Sequence, residues 1–469
     1  MQSKLVQRTA IVIGGGIAGL LAARVLHEHF KEVVIIEKDK YPFQAGPRNG
    51  TPQSNHVHVL LIKGKEILLT LFPNLQNKLV ANGAQVLNLT NDVDYYVGTG
   101  YSMKFESELT TIACTRQLLE YEIRNEIFEN YPRAIVRENT RATGLVISKD
   151  KKEAGLRTIK GVTVLSDNNT NSEETILGDL VVDTTGRESQ TAQWLERLGY
   201  DKPDETVVNS YIGYSTCWFN PNTQNISATA DIKPIIKPTI ILTNPPSNPY
   251  MGLIYPVEGS RWLVGILGIG KNYPPTDKQG FLQCTKKLET SDIYDAIKYF
   301  ELSGPIYGYR TSGSKQFHYE KMKDWPENFV AYGDSVSSFN PSYGQGITVS
   351  CIEAVTLDKT LREYKKRNKG LLGFSNVFQK KVSKINKLPW LLGTSEDFRW
   401  STTEGTKPGI ITRYIQKYSN RVLLLTPKSK IASKSFFEVM HMLRSPLILF
   451  HPLILIHVLI ETLKRTANK

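Results

Sequence analysis

Three glycines near the N-terminus have the spacing of a turn that binds a dinucleotide pyrophosphate. Gly14, Gly16 and Gly19 form a GxGxxG pattern between an apolar run, 9–13, and an apolar-periodic stretch, 17–30. The first glycine permits the tight turn, the second lets phosphates approach the backbone, and the third lets helix and strand pack closely. The helix N-terminus offers free N–H groups to the phosphates. The pattern therefore predicts a strand, a turn and a helix that hold a dinucleotide.

An acidic residue follows at the distance expected of a ribose contact. Glu37 ends a second strand-like run, 32–37, and lies 18 residues after Gly19. A carboxylate at this position accepts a hydrogen bond from a ribose hydroxyl and disfavours a phosphorylated ribose. We therefore expect FAD or NAD rather than NADP in this pocket, with Glu37 and the adjacent Lys38 among its contacts.

A second group of turn residues lies three hundred residues later. A Gly-Asp pair follows the strand-like run 328–331, and an NPSYGQG segment leads into the helix-like stretch 344–364. The pairing of an N-terminal GxGxxG with a late GD…NPxxGxG segment resembles the FAD-dependent aromatic hydroxylase and epoxidase superfamily. That resemblance implies the glutathione-reductase-like FAD fold. The residues it assigns to the cofactor here are Asp334, Pro341, Gly344, Gly346 and Ile347.

The resemblance also implies what this segment contributes. Asp334 binds the ribityl or pyrophosphate region of FAD, and the N-terminus of the 344–364 helix faces the flavin ring. Reduced flavin carries negative charge near N1 and O2, which helix N–H groups and the helix dipole stabilise. The glycines let the backbone lie against the ring without an intervening side chain. The alternative is that Asp334 and Asn340 are only turn and cap residues.

Two further segments fit the resemblance. The run 180–187 is similar to a segment that carries an Asp-Gly pair, but two threonines separate Asp183 from Gly186 here, as in the D-x-x-G-R version of epoxidase- and halogenase-like sequences. This departure leaves open how Asp183 contributes to nucleotide binding. The sequence TRQLL, from Thr115, resembles a helix start whose arginine reaches the phosphate side of FAD. That role falls to Arg116, with an ordinary surface position as the alternative.

Two histidines belong to an unusual string at 48–61, R-x-G-x-P-Q-x-x-H-x-H-x-L-L. It resembles a pattern of bacterial FAD-dependent epoxidases and hydroxylases, including squalene-epoxidase-like and polyether-epoxidase-like proteins. The resemblance implies a loop beside the flavin ring in which Arg48 and Gln53 contact the cofactor. His56 and His58 would share a face on a strand. They either tune flavin charge or position substrate, or are plain hydrogen-bonded loop histidines. No third ligand follows at metal-binding spacing, so we expect no metal.

The elements around these motifs predict an α/β fold in three parts. A discontinuous FAD-binding Rossmann domain takes 1–75, 105–190 and 325–370, and the substrate-binding part takes 76–104 and 191–324. Strand-like runs dominate the latter and predict an antiparallel sheet; they are 207–219, 239–243, 252–257 and 261–269. The remaining residues, 371–469, predict a basic helical region that closes or anchors the molecule.

Composition and charge limit the function classes. Of 469 residues, 40% are hydrophobic and 22% are charged, which is typical of a globular protein and excludes a disordered chain, a disulfide scaffold and a coiled coil. The net charge is +13, but residues 361–469 alone carry 21 Lys or Arg and 6 Asp or Glu. Such a surplus suits nucleic acid or an anionic bilayer. The basic and aromatic residues form no known nucleic-acid reader, so we expect no nucleic-acid partner.

The C-terminal segment 447–460, LILFHPLILIHVLI, has 14 residues, fewer than the roughly 20 needed to span a bilayer. It is typical of a monotopic anchor or of a helix packed on the protein's own surface. The basic surplus favours the anchor, so we expect membrane contact over 444–465. The polar N-terminus, 1–8, and four scattered cysteines predict no signal peptide and a reducing compartment. The expected location is cytoplasmic, peripheral at the membrane face if the anchor holds.

Taken together, the resemblance implies a flavin-dependent monooxygenase. It would hydroxylate or epoxidise an apolar small molecule (a terpenoid, polyketide or aromatic) through a flavin hydroperoxide, using O2 and electrons from NADH, NADPH or a partner reductase. The W-x-W-x-I-P segment of tryptophan halogenases is missing. One alternative is an FAD-dependent reductase of isoprenoid double bonds, which the reaction of reduced flavin with oxygen would distinguish. Another is a non-enzymatic prenyl-lipid escort on the same fold, which would be colourless.

Overall fold

The computed structural model describes residues 8–148, 157–166, 173–221, 236–300, 302–311, 313–368 and 370–467. Apart from Arg8, the polar N-terminal segment lies outside these residues. Everything below concerns the described part of the chain.

Strands and helices alternate in the N-terminal half, strands dominate the middle, and helices dominate the C-terminal quarter. In chain order the strands are β1 (Thr9–Ile13), β2 (Glu32–Ile36), β3 (Gln85–Asn88), β4 (Asp94–Tyr96), β5 (Thr110–Ala113), β6 (Ala134–Arg137), β7 (Thr140–Ile147), β8 (Ile159–Ser166), β9 (Glu173–Leu177), β10 (Leu180–Asp183), β11 (Glu205–Asn209), β12 (Ile212–Phe219), β13 (Thr239–Ile241), β14 (Tyr250–Val257), β15 (Arg261–Gly268), β16 (Leu302–Thr311), β17 (Ser314–Phe317), β18 (Phe329–Ala331), β19 (Ser337–Ser338) and β20 (Glu404–Gly405). The helices are α1 (Ile17–Leu26), α2 (Ile62–Leu71), α3 (Leu75–Ala81), α4 (Arg116–Asn130), α5 (Thr191–Arg197), α6 (Lys278–Thr285), α7 (Asp292–Ile297), α8 (Gly346–Lys366), α9 (Phe374–Asp397), α10 (Ile410–Leu423), α11 (Lys430–Met440) and α12 (Pro452–Ala467).

A five-stranded parallel sheet in the order β18-β10-β1-β2-β6 forms the centre of the nucleotide-binding part. Its central strands are short, nearly continuous apolar runs, and a strand buried on both faces needs that composition. Ile13 lies opposite both Asp183 on β10 and Ile36 on β2, so the strands end in register. Helices α1 and α8 pack together on this sheet, and the predicted strand–turn–helix–strand unit is present.

A second sheet, in the order β16-β12-β15-β14-β13-β4, has six strands. Its pairs are antiparallel except for β13 with β4. One face packs on α6 and α7 through a separate apolar cluster that includes Phe219, Val264, Phe281 and Ile293. The predicted α/β fold with an antiparallel sheet is therefore confirmed.

The C-terminal region departs from a simple appended tail. Strand β20 pairs with β11 in a further four-stranded sheet, β19-β17-β11-β20. Helix α9 buries Phe374, Phe378 and Val382 in the main core alongside the parallel sheet. Residues 371–405 are thus part of the main body, because their apolar side chains complete its core.

Helices α10, α11 and α12 pack on one another around a small apolar cluster of their own, which includes Val422, Ala432, Leu449 and Ile454. Phe437 on α11 also contacts Tyr95 beside the six-stranded sheet, with ring centroids 5.1 Å apart. In the part of the chain that the structure describes, none of the helices combines the length and the apolar content that crossing a membrane requires.

Candidate functional site

The loops that follow β1, β10 and β18 meet at the carboxyl edge of the parallel sheet. The Thr184 hydroxyl shares its hydrogen bond between the carbonyl oxygens of Ile13 and Gly14, at 2.7 and 2.9 Å. The Gly186 amide donates to the Ser335 hydroxyl at 2.9 Å. Adjacent parallel strands present their carboxyl ends on one edge, where ligands of such sheets bind. Three motifs that are far apart in the sequence therefore build one site.

The first glycine turn is tightly packed on its inner side and open at Gly16. Gly14 has φ +99°, and a Cβ there would lie 2.8 Å from the Thr184 carbonyl oxygen. A Cβ on Gly19 would lie 1.8 Å from the carbonyl oxygen of Gly14, so the third glycine is also required by packing. At Gly16, the N-cap of α1, the nearest atom is Arg48 Nη2 at 3.8 Å. The turn thus forms a backbone cradle with its open side at the helix N-terminus.

Glu37 lies directly after β2 and is buried against this turn. Its carboxylate accepts hydrogen bonds from the amides of Gly15, at 2.7 Å, and Asp39, at 2.9 Å. Burial raises the pKa of this carboxyl, and the positive charge of Arg48 opposes that shift. Arg48 Nη1 lies 3.1 Å from Glu37, and its guanidinium also pairs with Asp39 and with Glu120, at 2.9 and 2.8 Å.

This placement assigns Arg48 to the end of the site near the glycine turn. Three carboxylates around the guanidinium hold it next to Glu37, and the position beside the flavin ring that the resemblance implies stays a prediction. Gln53 is half-buried in a short 3-10 turn, Pro52–Asn55, and Lys38 is exposed. Neither side chain has a hydrogen bond to another residue in the described ranges.

Arg116 opens α4 beside an open recess of about 260 Å³. Thr115 caps this helix by accepting the Leu118 amide at 3.0 Å. Arg116 Nη2 lies 3.2 Å from Glu120, but its buried Nε–H has no hydrogen-bond partner among the described residues. The recess lies between this helix and the 42–54 loop, and Arg124 also lines it. A buried guanidinium N–H without an acceptor is costly, so the position suits an anionic ligand.

Asp334 lies at the same edge of the sheet, shortly after β18 and Gly333. It follows Gly333, whose φ of +65° directs the chain out of β18. Its side chain is exposed, yet the protein around it raises the pKa of the carboxyl by desolvation, and Arg187 and Arg116 oppose that shift. We find no hydrogen bond to this carboxylate within the described residues. An accessible carboxylate without a partner in the described residues can accept hydrogen bonds from a ligand.

The N-terminus of α8 faces the Asp334 carboxylate. A Cβ on Gly346 would lie 3.5 Å from Asp334 Oδ1, and Gly344 adopts φ +64°, which a glycine adopts without strain. Pro341 is exposed, and Gly344, Gly346 and Ile347 are partly exposed. Since the first amides of a helix have no carbonyl one turn below, they and the helix dipole form an anion-stabilising end. The structure therefore brings these predicted residues together.

Helix α9 holds the segment before α8 in place. Asp397 Oδ1 accepts hydrogen bonds from Asn340 Nδ2 at 2.6 Å and from the Tyr343 hydroxyl at 2.9 Å. Gly393 lies one turn earlier, and a Cβ there would come within 3.1 Å of the Tyr343 ring. Burial raises the pKa of Asp397 to about 7. Neither residue was predicted from the sequence, because an acidic residue or a glycine near the end of a helix is an ordinary feature until its partners are known.

A second buried acid, Glu353 on α8, was also missed. Its Oε2 accepts the Gly333 amide at 2.7 Å, which supports the turn before Asp334. Burial raises the pKa of Glu353 to about 8. The position of Glu353 on the buried face of α8 was a weak indication of this role, because an acidic residue on such a face must have a partner inside the protein.

Asp183 requires a correction. It was predicted to contact the cofactor, but its carboxylate is fully buried and accepts four hydrogen bonds from its own loop. The donors are the amide and hydroxyl of Thr185, at 2.9 and 2.6 Å, and the hydroxyls of Ser189 and Thr191, at 2.5 and 2.6 Å. As placed, Asp183 shapes the turn that carries Thr184 and Gly186 onto the glycine cradle. Its oxygens are not free for a ligand.

The two histidines have different surroundings, although the chain around them is extended. His56 is buried, and its Nδ1 is hydrogen-bonded with the Thr216 hydroxyl on β12 at 2.9 Å. Its ring lies edge-on to Tyr214, with centroids 4.5 Å apart. Burial lowers the pKa of His56 to about 4. His56 thus contacts the six-stranded sheet and is neutral at physiological pH.

His58 instead lies within electrostatic range of Arg116. Its Nδ1 is 3.0 Å from the His56 carbonyl oxygen, and burial together with the Arg116 charge lowers its pKa to about 3. The loop that carries both histidines also approaches α8, because a Cβ on Gly344 would lie 3.4 Å from the Val59 carbonyl oxygen. The loop therefore joins the α8 end of the site to the antiparallel sheet.

Comparison with known proteins agrees with this architecture. A family model for an NAD(P)-binding Rossmann-like domain matches residues 12–58, which include the glycine turn and Glu37. Protein Rv3254 of Mycobacterium tuberculosis is 27% identical over 409 residues, covering 84% of this chain and 81% of that protein.

Flavin-dependent enzymes are among the solved structures that share this fold. PqsL of Pseudomonas aeruginosa, a probable FAD-dependent monooxygenase, superposes with a TM-score of 0.60 at 15% identity, covering 84% of this chain and 96% of that one. The flavin-dependent brominase Bmp2 superposes with a TM-score of 0.63 at 13% identity, covering 98% of this chain and 100% of that one. The p-nitrophenol 4-monooxygenase PnpA of Pseudomonas putida superposes with a TM-score of 0.56 at 13% identity, covering 93% of this chain and 98% of that one. The predicted fold is thus confirmed.

Proposed function

We propose that this chain, whose fold is that of FAD-dependent monooxygenases and halogenases, is an FAD-dependent monooxygenase that hydroxylates or epoxidises an apolar small molecule. The observation that carries the proposal is the meeting of three motifs at one sheet edge. The glycine cradle, the Asp334 carboxylate and the N-terminus of α8 line a single surface there. Similarity to PqsL and PnpA supports the reaction class.

The residues present fit FAD. At the nucleotide end, the backbone at Gly16 is open to a pyrophosphate, and the free Nε–H of Arg116 suits a phosphate oxygen. The ribose contact of Glu37 stays a prediction, since its buried carboxylate already accepts hydrogen bonds from Gly15 and Asp39 and pairs with Arg48. At the ring end, the unpaired Asp334 carboxylate would accept hydrogen bonds from the ribityl hydroxyls. FAD, when bound, supplies the redox chemistry that carries electrons from a reductant to O2.

Groups of the chain itself position and stabilise the reacting part of the cofactor. The first-turn amides of α8 would stabilise negative charge that develops on a bound flavin. Asp397 and Gly393 keep these amides in position through Asn340 and Tyr343. No side chain here needs to act as a nucleophile.

Aromatic side chains support an apolar substrate. Tyr214 lies next to His56 and has its ring centroid 5.4 Å from that of Tyr309 on β16. Burial raises the pKa of Tyr214, and His56 is neutral, so this group is uncharged at physiological pH. An uncharged aromatic wall where the histidine loop meets the sheet suits a terpenoid, polyketide or aromatic and excludes water. We take NADH, NADPH or a partner reductase as the electron source.

The cofactor assignment is tested by flavin content after purification. Asp334→Ala should lose most bound flavin while retaining its circular dichroism spectrum, because the carboxylate has no partner in the described protein. Asp201→Ala, an exposed aspartate, is the matched control and should retain flavin. Unchanged flavin in Asp334→Ala would overturn the assignment, and a colourless wild-type protein would favour the non-enzymatic escort.

The reaction class is tested by reducing the flavin anaerobically and mixing it with oxygenated buffer in the presence of candidate lipids and aromatics. We expect a transient near-ultraviolet absorbance before the oxidised spectrum returns, and one labelled oxygen atom from 18O2 in the product. Saturation of a substrate double bond without oxygen incorporation would favour the reductase instead.

A further inference from the structure

The C-terminal helices present a large exposed apolar surface. On α10 the exposed side chains include Ile411, at 73%, and Tyr414, at 67%. On the segment from Pro446 through α12 they include Leu447, at 76%, and Leu459, at 60%. The exposed apolar side chains of both elements are Ile410, Ile411, Tyr414, Ile415, Leu447, Phe450, Leu453, Leu455, Ile456, Leu459, Ile460 and Leu463. A soluble monomer rarely leaves so many exposed together.

The helices that carry these exposed side chains also have a packed apolar core of their own. The opposite faces of the same elements bury Val422, Leu449, Ile454 and Val458 in the apolar cluster they share. The Tyr418 hydroxyl on α10 donates to the Leu449 carbonyl oxygen at 2.6 Å, and its ring stacks on Phe450 with centroids 4.5 Å apart. The two elements are thus joined through their inner faces, and the exposed apolar side chains lie outside that shared cluster.

The surroundings of this surface are basic. From residue 407 to the end, the sequence has 11 Lys or Arg and two Asp or Glu. Helix α10 carries Arg413, Lys417 and Arg421, all exposed, and no acidic residue. Arg444 and Lys464 are exposed on either side of the apolar segment of α12. Apolar side chains that enter a headgroup region, with cations around them, have the composition of an interfacial membrane contact.

We propose that α10 and the 446–464 segment together form one docking surface for an anionic lipid bilayer, into which their exposed apolar side chains insert without spanning it. Each basic residue near such a surface contributes attraction that falls off within a Debye length. A second copy of this chain fits less well, because a symmetric interface would bring two strongly positive surfaces together. The proposal concerns a surface outside the flavin site and does not depend on the proposed reaction.

The test uses the full chain with vesicles of phosphatidylcholine alone or mixed with phosphatidylglycerol, analysed by flotation. We expect the protein to float with the mixed vesicles, to remain largely behind with the neutral ones, and to be released by high salt. Ile411→Ser with Tyr414→Ser, and separately Leu453→Ser with Leu459→Ser, should each weaken flotation at least about tenfold. Leu177→Ser, which changes an equally exposed leucine on β9, is the control and should float as the wild type does.

Several results would overturn the proposal. These are no flotation with mixed vesicles, equal flotation with both kinds of vesicle, or loss of flotation in the Leu177→Ser control. Light scattering measures the oligomeric state of the wild type and of both double variants. A dimer that both double variants dissociate, without vesicle binding by the wild type, would assign the surface to a second copy. Circular dichroism of each variant confirms that weakened flotation does not reflect unfolding.

Discussion

The carboxylate of Asp397 accepts a hydrogen bond from the side-chain amide of Asn340 at 2.6 Å, across 57 residues of sequence. Asn340 in turn accepts the Ser342 amide at 2.9 Å and so caps the short turn before α8. This contact joins the C-terminal region to the turn that leads into α8. The order of the candidate flavin site therefore depends on a helix that carries none of the recognised motifs.

Replacing Asp397 should separate its geometric role from its charge. Asp397→Ala leaves the Asn340 amide and the Tyr343 hydroxyl buried without an acceptor, which costs about 1–3 kcal/mol for each group. We expect a lower free energy of unfolding in urea and reduced flavin content. Asp397→Asn retains an acceptor oxygen, so it should keep its flavin content near wild type and be more stable than Asp397→Ala. Equal loss in the two variants would show that charge, rather than the hydrogen bonds, is required.

The stability contribution of Asp397 should depend on pH. Its folded-state pKa is about 7, whereas an aspartate in an unfolded chain titrates near about 4. Between these values the folded chain binds a proton that the unfolded chain has lost, so the contribution is largest at low pH and declines as pH rises to about 7. Relative to Asp397→Asn, the wild type should lose stability across that window. A constant difference in urea unfolding would contradict this.

Removal of Arg48 should destabilise the fold strongly. Its largely buried guanidinium pairs with the carboxylates of Glu37, Asp39 and Glu120. Breaking a buried ion pair by deleting one partner costs about 3–5 kcal/mol. We expect a loss of this size for Arg48→Ala in urea unfolding and a smaller one for Arg48→Lys. Arg141→Ala, at an exposed position on β7, should be close to wild type. Similar losses in both alanine variants would contradict the network.

His56 should remain neutral across the physiological range. Burial lowers its pKa to about 4, so its imidazole resonance should not titrate between about pH 5 and 8. NMR of the labelled protein measures this, with His56→Gln used to assign the signal. Thr216→Val removes the hydroxyl bonded to Nδ1 and should shift the resonance without affecting flavin content. A titration midpoint near the ordinary histidine value of about 6.5 would contradict the burial argument.

The sequence alone determined the parallel sheet and its first turn, because both depend on local patterns. A buried parallel strand requires a continuous apolar run, and a tight strand-to-helix turn requires glycines at set positions. The motif around Asp334 and Gly346 was likewise visible from its resemblance. The amphipathic character of the C-terminal segment was also apparent, although the contribution of α10 to its exposed surface was not.

Tertiary structure decided which groups are free to act. Asp183 ends one buried strand and Asp334 comes soon after another, so they look equivalent in sequence, yet the first accepts hydrogen bonds from its own loop and the second is exposed. Arg48 is held beside the glycine turn because carboxylates from the end of β2 and from α4 converge on it. Asp397 gains its role only when α9 packs on α8. Local patterns specify elements, whereas hydrogen-bond saturation and burial depend on contacts between residues far apart in sequence.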